Sequence, residues 1–216
     1  MTKPGFWDTA TRELARRDRV LAKLIAAHPD IHLTRRGDPF TTLARSIVGQ
    51  QISVKAAQAV WDRFARAAQG SAAAGTLAIA LDPARVARMR VTTMRRCGFS
   101  ERKAEYVRDL ARHFVTGRLE PHTWSALDDE ALIEALVDVK GIGRWTAEMF
   151  LMFHEVRADV LPIGDIGLQN AMAILYNKGE RMLPAQMREY AARWAPWRSV
   201  ATWYLWRSME PRQVQY

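Results

Sequence analysis

The stretch Val139-Lys140-Gly141-Ile142-Gly143-Arg144-Trp145-Thr146 joins two runs of helical period. Gly164-Asp165 follows it, the carboxylate standing twenty residues past Trp145. Upstream, within 130–137, Leu132, Ile133, Leu136 and Val137 recur at helical spacing; downstream, Trp145, Met149, Phe150 and Phe153 do the same over 145–153. Two glycines around one apolar residue let the backbone turn sharply between those helices. The turn leaves amide N–H groups bare at the start of the second helix, and such a terminus is a ready phosphate site. The hairpin therefore predicts a grip on a nucleic-acid backbone, and the lone carboxylate predicts chemistry beside it.

Bulk composition agrees with that direction. The chain has 216 residues, enough for one domain or two intimately packed lobes with a real core, and 49% of them are hydrophobic. Its net charge is +9 and its pI about 10.2. The cations are spread along the chain (Arg35-Arg36, Arg88, Arg90, Arg95-Arg96, Arg102-Lys103), which suits a folded basic face better than a basic tail. Such a face meets an acidic partner or merely solvates the surface. Cys97 is the only cysteine, so neither an intrachain disulfide nor a four-cysteine iron–sulfur cluster is expected. The N-terminus carries no apolar run of signal-peptide length, and no stretch has the ~20 apolar residues of a membrane span. The expectation is a soluble protein of a reducing compartment, nucleoid-associated in the cytoplasm, with no membrane partner.

Nearly every segment has helical period, and no alternating strand stands out. The expected elements are a helix over 10–27, another over 39–48, and a break at Gly49-Gln50-Gln51. Ser53 then caps a helix over 54–67. A small-residue loop is expected over 69–75. Short helices over 83–89 and 91–97 end at Gly98, and Ser100 caps a long helix with Tyr106, Val107, Leu110 and Phe114 inward. Pro121 marks a loop. A helix over 166–176, a Lys178-Gly179 turn, a helix from Pro184 to Trp194 and a last one opened by Pro196 complete the chain. The sum is an all-α array of roughly ten helices with short connections.

Asp165 has two compatible readings. It is a good N-cap for the helix that follows, and a carboxylate there sits in a field that favours its negative charge. A fixed carboxylate is also what a glycosidic bond breaking through an oxocarbenium-like state requires. Five of the eight tryptophans, Trp145, Trp194, Trp197, Trp203 and Trp206, lie in the hairpin and C-terminal helices. They are core packing or faces on which an extruded, cationic base stacks. Gln50-Gln51 is an ordinary turn, or a wedge filling the hole an extruded base leaves. The five histidines show no ligand spacing with each other or with Cys97, and no phosphate loop ending in Lys-Ser/Thr is present.

Together these residues resemble the helix-hairpin-helix DNA glycosylase superfamily, and within it the 3-methyladenine DNA glycosylase II branch. The resemblance spans about Asp38 to Trp206. It is carried by Asp38-Pro39-Phe40, Ile47-Val48-Gly49-Gln50-Gln51-Ile52-Ser53, Cys97-Gly98-Phe99-Ser100 with Lys103, Val139 to Trp145, Gly164-Asp165 and Trp194-Ala195-Pro196-Trp197-Arg198-Ser199. It implies one glycosylase domain over 1–216, with the hairpin at 130–155. The N-terminal helix would pack with the C-terminal helices as one lobe, about 40–155 would form the other, and the active-site cleft would lie between them. It implies Asp165 as catalytic carboxylate, Trp145, Trp206 and Met149 around the base, and Gln50 and Gln51 as wedge. Gly141, Gly143, Arg144 and Thr146 would hold DNA phosphate. The carbonyls of Val137, Val139 and Ile142 match a sodium or potassium site, and no other cofactor is implied.

Two departures shape the implied activity. Strand-cutting members carry a Schiff-base lysine two positions after the second hairpin glycine; this chain has Trp145 there, and Lys140 lies on the other side of the turn. Where the family's pocket can hold a tyrosine, this chain has Met149. The resemblance thus implies a monomeric, monofunctional enzyme that flips alkylated purines out of duplex DNA and hydrolyses them off, leaving an abasic site. The alternatives are a bifunctional glycosylase/lyase for oxidised bases and a non-catalytic hairpin DNA-binding module.

Overall fold

The computed structural model describes residues 2–70 and 80–209. Among them are twelve α-helices and no β-strand. In order they are α1 (Trp7–Arg17), α2 (Arg19–Ala27), α3 (Pro39–Gly49), α4 (Val54–Gln69), α5 (Pro83–Arg88), α6 (Val91–Arg96) and α7 (Glu101–Val115). Then come α8 (Asp129–Val137), α9 (Arg144–Phe150), α10 (Ile166–Tyr176), α11 (Pro184–Ala191) and α12 (Arg198–Met209). The all-α expectation holds. From Ser71 on, the loop expected over 69–75 lies outside the described residues, while Gln69 itself closes α4. No described helix is long and apolar enough to cross a membrane.

The helices fall into two compact units. One comprises the chain up to Arg35 and from Leu151 onward; the other runs from Arg36 to Phe150. In the first, Leu14, Leu21, Leu168, Met172, Val200 and Leu205 are fully buried. Trp7 packs on Tyr204 with ring centres 6.1 Å apart, and Phe6 stacks on Trp197 at 5.8 Å. In the second, Phe40, Leu43, Ile47, Phe64, Val107 and Leu110 form the interior. An edge-on aromatic series runs from Phe40 through Phe114 and Trp124 to Phe150, with steps of 5.3, 6.2 and 5.5 Å.

Capping chemistry sets most boundaries. Ser53 and Ser100 accept the amides of Ala56 and Lys103, as their sequence positions predict. The single helix expected over 10–27 is instead two, divided at Asp18. Its extended backbone breaks the run, its Oδ1 accepts the amides of Val20 and Leu21, and its Oδ2 accepts the Trp194 indole N–H at 2.9 Å. The loop expected at Pro121 is a 3-10 stretch, Pro121–Ala126, because Trp124 is drawn into the interior. The helix expected over 145–153 keeps α geometry only to Phe150, then widens into a π-helical turn, Leu151–Glu155. Leu151, Met152, Phe153 and His154 are all buried there, and four consecutive residues cannot share one face at 3.6 per turn. The helix expected from Pro184 tightens into a 3-10 turn at Ala192–Trp194. Pro196 does not open α12. That helix starts at Arg198, whose amide donates to Asp159 Oδ1 at 3.1 Å while its guanidinium pairs with the same carboxylate.

Candidate functional site

The hairpin begins where Asp128 caps α8 and ends where α9 starts. Gly141 has φ +85°, a region L side chains rarely adopt, and a Cβ there would fall 2.2 Å from the Tyr106 ring. Only glycine therefore permits both the turn and the packing of α7 behind it. Val139 and Ile142 are buried on either side, with the Ile142 amide donating to the Val139 carbonyl at 3.1 Å. Gly143 faces open space. The first bond of α9 runs from the Ala147 amide to the Gly143 carbonyl, so the amides of Arg144, Trp145 and Thr146 stand ahead of it at the helix start.

The side chains around this turn have diverse fates. Arg144 pairs with both Glu130 oxygens, one of them at 2.9 Å, and with Glu148 at 3.0 Å. Its guanidinium thus fastens α8 to α9. The same bonding lowers the Glu130 pKa and raises that of Arg144. Thr146 is buried, Met149 is half-buried, and Trp145 is 39% exposed.

The Gln50-Gln51 turn lies in the same unit. Gln50 donates its side-chain amide to the Gly141 carbonyl at 2.9 Å. Of the two glutamines expected to enter DNA, the exposed one is therefore Gln51, held at φ +59°. Ile52 beside it is 41% exposed.

In the other unit Asp165 sits at the N-cap of α10. Its Oδ1 accepts the Leu168 amide and the Trp206 indole N–H, both at 2.7 Å. Asp165 is 5% exposed, and Trp206, expected to line the base pocket, only 3%. Trp206 stacks on Phe153 with ring centres 6.0 Å apart and planes 14° from parallel, and Trp203 meets it edge-on. The cap was legible from the Gly164-Asp165-Ile166 junction; the indole partner, 41 residues away, was not. Gly167 was also missed: a Cβ there would lie 3.0 Å from Asp165 Oδ1 and 3.1 Å from the Trp206 ring. A glycine inside a helix's first turn is the signal that would have drawn notice to it.

Among the described residues no three His, Cys, Asp or Glu side chains gather as a metal site. What the arrangement offers is a glycine hairpin at a helix start with a partly exposed indole in one unit, and a buried carboxylate accepting two hydrogen bonds in the other.

This is the pattern of a known class. Residues 44–197 match the model for the HhH-GPD superfamily base excision DNA repair proteins, and the chain belongs to that superfamily. It is 31% identical over 189 residues to DNA-3-methyladenine glycosylase 1 of Schizosaccharomyces pombe, covering 87% of this chain and 80% of that one. A crystal structure of DNA-3-methyladenine glycosidase from Bacillus halodurans superposes with TM-score 0.84 at 34% identity, over 96% of this chain and 92% of the other. The S. pombe 3-methyladenine DNA glycosylase in complex with abasic DNA superposes with TM-score 0.77 at 29% identity, over 93% and 96%.

Proposed function

We propose that the chain is a monomeric, monofunctional DNA glycosylase that releases alkylated purines of the 3-methyladenine kind from duplex DNA. The observation that carries this is Asp165, a carboxylate fixed by two short hydrogen bonds to one oxygen. Main-chain amides at the hairpin hold phosphate, Gln51 enters the helix, and Trp145 and Met149 receive the extruded base. An alkylated purine carries positive charge and leaves readily, so no strong general acid is needed. The C1′–N bond breaks, Asp165 stabilises the positive charge on the sugar, and water adds at C1′ with loss of a proton. The products are free base and an abasic site. Trp145 stands where a Schiff-base lysine would have to be, which supports hydrolysis without strand cutting.

The carbonyls of Val137, Val139 and Ile142 are hard oxygen donors on one turn, and the Val139 oxygen, which accepts the Ile142 amide, keeps a second lone pair. That donor set suits sodium or potassium, which when bound would stiffen the turn.

The test is Asp165→Asn. Asparagine keeps an oxygen for both donors, so the variant folds and binds lesion duplex as the parent does, yet releases methylated base at least about 100-fold more slowly. Near-parental release would remove Asp165 from the mechanism. Borohydride added during turnover by the parent protein traps no protein–DNA adduct; a robust adduct would place the chain among the lyases.

A further inference from the structure

Lys103 takes no part in the chemistry above, yet its ammonium is drawn in from solvent. Its Nζ donates to the Val48 carbonyl at 2.8 Å and the Gln50 carbonyl at 2.6 Å. These are orphan carbonyls at the end of α3, where the helix dipole is negative and a cation is favoured. Burial lowers the Lys103 pKa below its ordinary 10.5, so the site keeps this group despite a desolvation cost. From the same turn, the Gln50 side chain reaches the Gly141 carbonyl at 2.9 Å.

The face of α7 that carries Lys103 continues the grip. Three residues on, Tyr106 fills the space that a side chain at 141 would need. Asp109 accepts the Lys140 amide at 3.0 Å, and His113 Nε2 lies 3.1 Å from Asp138 Oδ2. One helix face thus holds the Gln50-Gln51 turn at one end and the glycine hairpin at the other. Next to these clamped residues Gln51 keeps a left-handed backbone, which a non-glycine residue holds only where the surroundings over-determine it.

We propose that Lys103 is a positioning residue: by tying the carbonyls on either side of Gly49 to α7, it fixes Gln51 relative to the hairpin. Entry into the base stack and the hold on the backbone then act as one rigid piece. This rests on the glycosylase reading.

The test compares one methylated purine in two settings, a normal pair in duplex DNA and a single-base bulge, where no partner base resists extrusion. Lys103→Met keeps the aliphatic stem and loses the donors. Single-turnover release from the paired lesion slows about tenfold, while release from the bulge stays within about twofold and affinity for abasic duplex is unchanged. Lys103→Arg, which restores donors, recovers most of the paired rate. Gln50→Met removes the adjoining link without touching Lys103 and reproduces the selective loss. Equal slowing on both substrates, as from a merely weakened fold, overturns the proposal, and so does an unchanged paired rate. If the parent protein releases no base from either substrate, it is the glycosylase reading that fails.

Discussion

A single methyl group added at Gly167 would test how finely Asp165 is set. Alanine there is favourable to helix α10, but its Cβ would press on Asp165 Oδ1 and on the Trp206 ring, at 3.0 and 3.1 Å. Neither neighbour can yield freely, since the carboxylate oxygen is held by two hydrogen bonds and the indole is stacked on Phe153. Gly167→Ala is therefore expected to slow base release markedly while thermal stability falls by only about 1–2 kcal/mol, the overpacking being partly offset by the helix propensity of alanine. Rate and melting temperature measured on the same preparation check it; an unaltered rate would show that the pair tolerates displacement. Legibility at this scale was uneven. Asp165 could be found from its loop-to-helix junction because capping is local chemistry. Its bond to Trp206 and the Gln50–Gly141 bond could not, because they join residues 41 and 91 positions apart.

Among the elements, the α8–α9 hairpin has the clearest pH signature. The hydrogen bond from Arg144 lowers the Glu130 carboxyl below its ordinary 4.5. The pair's contribution to stability is thus fully present above about pH 4.5 and is lost as the pH falls through the lower folded value. Both side chains are more than half exposed, so the contribution is small, about 0.5 kcal/mol. Glu130→Gln should melt earlier than the parent at neutral pH, and the gap should narrow as the pH falls below about 4.5; a gap that stays constant through acidification would mean the ion pair is not its cause. Helices were legible wherever period and cap agreed, as at Ser53, Ser100 and Asp165. The division at Asp18 was hidden because Arg16-Arg17-Asp18-Arg19 reads as a solvated face, whereas the carboxylate caps α2 and takes a distant indole N–H. The widening after Phe150 was hidden too, since an apolar run has no local mark for a π turn.

At the scale of the whole molecule, charge and fold point to the same partner. A net charge of +9, carried by arginines dispersed through the sequence, predicts binding to undamaged duplex dominated by phosphate contacts. Log affinity should fall linearly with log salt, with a slope of about 0.9 per phosphate neutralised, and should vary little with sequence. Fluorescence anisotropy across a salt series measures it; a flat response would detach the basic surface from DNA. Fold class was legible because helical period pervades the chain, and the family because its motifs occur in order. How α7 ties two of those motifs together was not, since each tie is a contact between segments that the sequence leaves far apart.

The double duty of Asp165 has a bearing on descent. One oxygen starts a helix and satisfies a buried indole, so erasing the side chain harms the fold and, on the proposed mechanism, the activity with it. A lineage that gives up repair but keeps the protein for another role has a narrow exit: the isosteric amide preserves both hydrogen bonds and removes only the charge. Retired copies of this gene should thus be marked by asparagine at that position rather than by alanine or glycine.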